Sequence, residues 1–268
     1  MDPATGLRRT LESRVGPWAA PLEWRQTVVS TNDLLKERAR SGAVEWTTLL
    51  AETQTGGRGR EGRAWASPLG GLYLSVLLRP RDESVGLVPL AAGVAVVEAA
   101  GEQGVRAELK WPNDVLVMGR KLAGILTEAA SGSLGVEWVV VGIGMNVAVD
   151  LTALAAPAAD VATSLHLEAG TTPQVRDVAA AVLARLSVWY DALHRRPESV
   201  VDAWRGHASR WWGMLVQVKT GDEVFRGRLH DIDESGALIV DLEEGGFRSV
   251  LSGEVTRLRP LESELGRS

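Results

Sequence analysis

Three arginines and four glycines fall within one short stretch, Gln54-Thr55-Gly56-Gly57-Arg58-Gly59-Arg60-Glu61-Gly62-Arg63-Ala64-Trp65. Glycine has no Cβ, so its amide can close on a ligand oxygen. Arginine presents a planar fork of donors that stays charged and matches phosphate or carboxylate. Together they suit a loop that closes over a small polyanion. The runs on either side, Trp46 to Ala51 and Leu72 to Leu78, have the composition of β-strands, so the loop is tethered to rigid elements at both ends. A Gly/Arg patch for RNA or DNA, or a solvated linker, would use the same residue types. The whole chain argues against a long polymer: 29 Lys plus Arg stand against 34 Asp plus Glu, a formal net charge of −5, and an acidic chain binds extended phosphate backbones poorly. Positive charge focused at one place fits one small anion.

Four further clusters carry polar chemistry. Ser30-Thr31-Asn32-Asp33 follows a strand-like run from Glu23 to Val29 and precedes a helical run from Leu34 to Ala39; it is an N-cap, and a helix start also offers free amides to a ligand. In Lys110-Trp111-Pro112-Asn113-Asp114 the proline interrupts ladder pairing between two strands. Asn113 and Asp114 there either turn the chain by bonding their own backbone or present Asp114 to Mg²⁺, which needs only one or two protein carboxylates when it comes with a nucleotide. Lys121 precedes a strand that starts at Gly124; its ammonium is either an exposed turn lysine or a cation that neutralises a carboxylate and a phosphate together. Gly142-Ile143-Gly144-Met145-Asn146 ends a strand, marking a bulge, tight packing or a ligand approach, and Asn146 could cap the strand or bond a nucleotide.

The composition narrows the mechanism. No cysteine is present, which excludes disulfides, thiol catalysis and thiolate metal sites. His166, His194, His207 and His230 are scattered without ligand spacing, against a histidine metal site or a Ser/His/Asp engine. Lys, Arg, carboxylates, amides and backbone remain, a set that leans toward activation of a substrate by a nucleotide. No apolar run approaches a membrane span and no leader pattern opens the chain, so a cytoplasmic protein is expected.

The elements that must hold these residues follow from pattern and punctuation. An apolar, alanine-rich helix from Leu87 to Ala100 reads as core. Strands over Ala107 to Lys110, Asp114 to Met118, Gly124 to Ala129 and Trp138 to Val147 are joined by short turns, which implies antiparallel neighbours. Ala148 to Thr163 reads as a loop. Gln174 to Arg195 and Pro197 to about Ala208 read as helices. From Trp211 five short strands (Leu215 to Lys219, Val224 to Ile232, Ala237 to Leu242, Phe247 to Leu251, Val255 to Leu258) fit a small β-barrel. The expected class is α+β, a mixed, largely antiparallel sheet with flanking helices over residues 1–210, then a small five-stranded C-terminal barrel over residues 211–268, with no flexible linker between them.

Taken in order, Ser30 to Asn32, Gln54 to Trp65, Lys110 to Asp114, Arg120 to Glu128 and Gly142 to Asn146 resemble the motifs of biotin protein ligases, strongly over residues 24–150. The resemblance implies a class II synthetase-like, biotin–lipoate ligase-like catalytic fold and a two-step reaction. Biotin attacks the α-phosphate of ATP with Mg²⁺ present, giving biotinyl-5′-AMP and pyrophosphate, and the biotinyl group then passes to one lysine of the biotin carboxyl carrier domain of an acyl-CoA carboxylase. It assigns Ser30, Thr31, Asn32, Gln54 and Gly124 to biotin, and Gly57, Arg58, Gly59 and Arg60 to the loop over biotin and adenylate. Lys121, Arg60 and Asp114 become the catalytic residues, with Asp114 next to the metal. Arg58, Arg60, Arg63, Trp65, Asn113, Lys121 and Asn146 fall on the nucleotide side.

Two departures from the family pattern stand out. Glu61 occupies a position that is often basic, and no aromatic residue lies between Val147 and Thr163 to stack on adenine. About twenty residues precede the first strand, too few for the winged helix of the repressor relatives, so no DNA binding is expected; nor is a membrane contact, and a monomer or weak homodimer is. The alternatives are a lipoate or octanoate ligase or transferase, whose pocket needs an apolar tunnel in place of hydrogen-bond partners, and a noncatalytic biotin sensor.

Overall fold

The computed structural model describes residues 2–16, 18–133, 135–156 and 158–257. Leu258, the expected end of the last strand, and residues 259–268 of the expected C-terminal unit lie outside the described residues.

Helix α1 (Pro3–Val15) starts at Asp2, whose carboxylate accepts from the Thr5 amide at 3.0 Å. The sequence reading assigned no element here. Its apolar face is only Leu7 and Leu11, one helical turn apart and both fully buried, too few residues to show a period. Strand β1 (Leu22–Val28), helix α2 (Thr31–Arg40) and strand β2 (Thr48–Gln54) form a strand–helix–strand unit whose two strands run parallel. β2 starts two residues later than expected; Trp46, just before it, has φ of +66°, outside the β region. Then come β3 (Gly71–Leu78), α3 (Val88–Glu102), β4 (Glu108–Lys110), β5 (Asp114–Val117), β6 (Arg120–Gly132) and β7 (Gly135–Asn146). The sheet order is β1-β2-β3-β7-β6-β5-β4, with every other neighbouring pair antiparallel, the mixed, largely antiparallel α+β arrangement that the short turns predict.

Period-two alternation sorts the strands' side chains between two faces. Leu72, Leu74, Val76 and Leu78 of β3, with Val139, Val141, Ile143 and Met145 of β7, enter the main core beneath α3 and α6 (Val175–Arg195). On the other face Leu77, Trp138 and Val140 meet Leu35 and Ala39 of α2. Ser75, Gly142 and Gly144 share that face, beyond α2, and the two glycines floor a cavity. Helix α3 belongs to the one segment among the described residues that is long and apolar enough to cross a membrane, Ser84–Glu102, and most of it is buried inside the protein, as an all-round apolar core helix must be.

The segment read as a loop, 148–163, holds a 3₁₀ turn at Leu151–Ala153 and one helical turn, α4 (Ala158–Val161). An unanticipated short helix, α5 (Leu165–Ala169), follows, capped by Ser164. After α6 and α7 (Pro197–His207) come β8 (Leu215–Thr220), β9 (Glu223–Ile232), β10 (Leu238–Leu242), β11 (Phe247–Val250) and β12 (Glu254–Arg257). These five strands form an antiparallel sheet in the order β11-β10-β9-β8-β12. The core is continuous into this sheet through Trp204, Leu229, Ile232 and Leu238. The Trp111 indole donates to Gly236 O at 3.2 Å, and Arg205 pairs with Asp231 at 2.7 Å.

Candidate active site

At one end of the cavity the N-terminus of α2 is held by neutral hydrogen bonds. Ser30 is the N-cap in extended backbone, its hydroxyl accepting from the Asp33 amide at 3.4 Å. The Thr31 amide and hydroxyl donate to Gln54 Oε1 at 2.8 and 3.1 Å, and Gln54 Nε2 donates to Ser67 Oγ at 2.9 Å. Ser75 Oγ donates to Asn32 Oδ1 at 2.6 Å and lies 2.8 Å from Thr31 Oγ1. Ser30, Thr31, Asn32 and Ser75 are all buried. A buried polar set of this kind is rigid when every member is partnered. Asn32 Nδ2 continues the network to Leu126 O at 3.2 Å and Glu128 Oε2 at 2.9 Å. The glycines of Gly142-Ile143-Gly144 find their reason here: a Cβ on Gly142 would run into the Asn32 carboxamide, and one on Gly144 would sit 2.5 Å from the Trp65 ring.

The arginine loop closes on itself and on two neighbours. Arg58 and Ala64 form an isolated bridge, and the Gly59 amide donates to Arg63 O at 2.7 Å. Arg58 turns toward the α2 end, meeting Asp33 at 2.5 Å and Glu128 at 3.0 Å, while Lys36 holds the other Glu128 oxygen at 2.7 Å. Burial alone would push the Glu128 carboxyl up; hydrogen bonds from Lys36 and Asn32, with the charges of Lys36 and Arg58, more than reverse this and hold it below the ordinary carboxylate value. Arg60 and Arg63 reach the C-terminal sheet. Arg60 donates to Ser252 Oγ at 2.8 Å and Gly253 O at 3.4 Å, and Arg63 pairs with Glu254 at 2.9 Å. Burial lowers the Arg60 pKa. Glu61 is exposed, 3.9 Å from Arg63, and outside the cavity lining.

The third wall is the β5–β6 hairpin, and it corrects the expected position of Lys121. That residue does not precede the strand; it lies inside β6. Val115 pairs with Ala123 and Leu116 with Lys121, so Leu122 is left unpaired as a bulge. The bulge shifts the alternation by one. Leu122 and Ala123 both enter the core, and Lys121 turns to the face of Asp114, where its ammonium lies 2.5 Å from Asp114 Oδ1. Trp65 lies across this wall. Its ring is 3.1 Å from where a Cβ of Gly124 would stand, and Lys121 Nζ is 5.4 Å from the ring centroid, within cation–π range.

The cavity is thus lined by Ser30, Thr31, Asn32, Gln54, Arg58, Gly59, Arg60, Arg63, Trp65, Asn113, Asp114, Lys121 and Gly124, nearly all the residues singled out from sequence. Gly57 and Asn146 are outside the lining. Gly57 lies beneath the loop against Trp65 O and Ser67 Oγ. The buried Asn146 carboxamide donates to Thr163 O at 3.0 Å, and the Thr163 amide donates to Lys121 O at 2.9 Å, so Asn146 braces the strand that carries Lys121. Sequence reasoning missed Ser75, Glu128, Lys110 and Glu254. Glu128 had a signal, its even spacing from Gly124 along one strand. Lys110 stood inside a motif already noticed. Glu254 had none, since only docking of the C-terminal sheet brings it here. Among the described residues no group of three or more metal-ligating side chains occurs.

This arrangement can hold a neutral, hydrogen-bonding ring system at the α2 end and an acyl carboxylate beside phosphate at the Lys121 end. Residues 24–146 match the model of the biotin/lipoate A/B protein ligase family, and residues 215–257 match that of the biotin protein ligase C-terminal domain. The biotin–[acetyl-CoA-carboxylase] ligase of Mycobacterium tuberculosis is 38% identical over 255 residues, covering 88% of this chain and 90% of that one. The bifunctional ligase/repressor BirA of Bacillus subtilis is 32% identical, covering 87% of this chain and 73% of that one. Among solved structures, biotin protein ligase from Aquifex aeolicus in complex with biotin and ATP superposes with a TM-score of 0.76 at 33% identity, over 88% of this chain and 98% of that one. By sequence along nearly its whole length, and by fold, the chain belongs to the biotin protein ligase family.

Proposed function

We propose that this chain activates biotin with ATP to biotinyl-5′-AMP and transfers the biotinyl group to a lysine of the biotin carboxyl carrier domain of acetyl-CoA carboxylase or a related acyl-CoA carboxylase. The observation that carries this reading is the pairing, in one cavity, of a rigid neutral end built from Ser30, Thr31, Asn32 and Gln54 with a cationic end built around Lys121. A ureido ring needs fixed donors and acceptors, and a site with such groups discriminates strongly against an acid that leaves them unpaired, as lipoate or octanoate would. A carboxylate and a triphosphate repel each other, so their reaction needs fixed cations between them.

In this mechanism Gly124 and Trp65 flank the acyl chain, and Arg58, Gly59 and Arg60 close over it, with Gly57 giving the loop its tight seat. Lys121 leaves Asp114 to hold one oxygen of the biotin carboxylate and one of the α-phosphate. The carboxylate attacks phosphorus, the P–O bond to the β-phosphate breaks, and pyrophosphate departs past Arg60 and Arg63. Asn113, whose side chain donates to Ile125 O at 2.7 Å, keeps Asp114 at the mouth of the hairpin. We assign Asn146 a bracing role through Thr163. Asp114, freed of Lys121, accepts a hydrogen bond from the incoming lysine amine as that nitrogen attacks the acyl carbon and AMP leaves. Asp114, a carboxylate on the cavity wall, fits the sparse protein ligation of a nucleotide-bound Mg²⁺; the ion would spread the charge of the phosphates. Residues 1–210 supply these groups, and the C-terminal unit that begins at residue 211 covers the phosphate end through Ser252, Gly253 and Glu254.

The test is Mg²⁺-dependent adenylate formation by the pure protein offered biotin, lipoate and octanoate in parallel, followed by an acceptor domain. Biotinyl-AMP consumed onto the acceptor lysine is the expected result. Adenylation of lipoate or octanoate alone, or of no acid at all, would overturn the proposal.

A further inference from the structure

Four cations face the phosphate end of the cavity: Arg60, Arg63, Lys110 and Lys121. Two of them are neutralised at short range, Lys121 by Asp114 at 2.5 Å and Arg63 by Glu254 at 2.9 Å. Among the described residues Arg60 donates to neutral acceptors alone, a serine hydroxyl and a backbone carbonyl. Lys110 has no carboxylate within ion-pair distance among the described residues; its Nζ lies over the Trp211 ring, 5.6 Å from the centroid. Lys110 ends β4 directly opposite Asp114 on β5, so the hairpin aims it at the same face as Asp114 and Lys121. A buried cation is costly without a partner, and burial accordingly lowers the Lys110 pKa, with Lys121 and Arg63 adding repulsion and Asp114 and Glu254 opposing both. An ammonium held in a ligand cavity against an aromatic face, with its donors uncommitted, is arranged for an anion that arrives with the substrate.

We infer that Lys110 binds the leaving pyrophosphate: it holds the β- and γ-phosphate oxygens of ATP during adenylation and has no partner in the transfer step. This rests on the adenylation reading above. Lys121, tied to Asp114, serves the α-phosphate and the carboxylate, which remain in the adenylate; the cavity's other lysine, Lys110, without a carboxylate partner among the described residues, is left for the group that departs. The balance is that of the adenylation itself. The α–β P–O bond breaks, its electron pair leaves on the β-phosphate oxygen, and Lys110 meets the added negative charge. Trp211 fixes the ammonium from behind, so Lys110 is oriented before ATP arrives.

The experiment separates the two half-reactions in wild type, Lys110→Met and Lys110→Arg. Adenylation is followed by biotin-dependent exchange of labelled pyrophosphate into ATP, and transfer by single-turnover reaction of supplied biotinyl-AMP with the acceptor domain. For Lys110→Met, exchange should fall and the pyrophosphate concentration for half-maximal exchange should rise by about ten- to a hundredfold, the size of one charge-assisted contact, while transfer changes less than about threefold. Lys110→Arg should recover a large part of the exchange. Equal loss in both half-reactions, or Lys110→Met exchange with an unaltered pyrophosphate requirement, would overturn the assignment. Folding of each variant is checked by its thermal transition, and binding of inorganic pyrophosphate to the unreacted protein gives a second reading independent of turnover. No adenylation by wild type would defeat the proposed function, a different outcome from a selective failure of the Lys110 variants.

Discussion

The two ends of the cavity are built on opposite principles. At the α2 end Thr31, Asn32 and Ser75 are neutral, buried and bonded to one another, and the half-buried Gln54 accepts from Thr31, so the geometry is preformed. At the loop and hairpin end, charges hold charges: Arg58 on Asp33 and Glu128, Arg63 on Glu254, Lys121 on Asp114. Those ion pairs are partly exposed, and each is weak in water. An anionic ligand can therefore replace the protein carboxylates at little cost. A neutral ring demands preformed geometry because unpaired polar groups are expensive; a polyanion demands cations parked reversibly until it arrives.

Substitutions can break this contrast at either end. The largest effect is expected at the charged end: Lys121→Ala should slow biotinyl-AMP formation about a hundred- to a thousandfold, the loss on removing one preorganised charge stabiliser, read as single-turnover adenylation. Near-normal adenylation by that variant removes Lys121 from the chemistry. Next, Gly142→Ala places a Cβ against the Asn32 carboxamide, and Ser75→Ala removes a donor from Asn32. Both should raise the biotin requirement by about tenfold or more, at roughly 1–3 kcal/mol per unsatisfied buried group, and leave the ATP requirement close to normal. An equal rise for ATP would show that the two ends are not independent.

Glu128 joins the two ends, and its substitution tests the link. Its folded pKa lies below the ordinary value of 4.5. Its contribution to stability is therefore complete above that value and lost as pH falls through the lower folded pKa. Glu128→Gln should flatten the fall of Tm below about pH 4.5; an unchanged slope there assigns the acid sensitivity to other carboxylates. The smallest effect is expected from Glu254→Gln, which removes the counter-charge of Arg63 from an exposed pair. Adenylation should change by less than about fivefold, and a larger loss would favour a direct role for Glu254 with the metal.

Much of the neutral end was legible in the sequence because its signals are local. Ser30 before a helical run is an N-cap whatever surrounds it, and Gly142 and Gly144 advertise close approach. Short turns between the strand runs implied antiparallel neighbours, so the sheet's class followed. The charged end was legible only as composition. Helix α1, with two buried leucines, lacked enough apolar residues to show a period, and α5 was too short to show one.

Residue types and near-neighbour spacing thus determined which chemistry this protein could carry: a loop for anions, a capped helix start, an aspartate opening one strand and a lysine just ahead of the next, and no thiol or histidine site. Only the tertiary structure decided how those groups meet. The unpaired Leu122 turns Lys121 onto the face of Asp114, a one-residue matter of register that alternation alone places on the wrong side. Docking of the C-terminal sheet brings Ser252, Gly253 and Glu254 to Arg60 and Arg63, contacts between residues about 190 positions apart in the chain. Lys110 faces the Trp211 ring, and among the described residues no carboxylate pairs with it. Whether a charge is paired depends on everything that packs around it, and a sequence records only its neighbours along the chain.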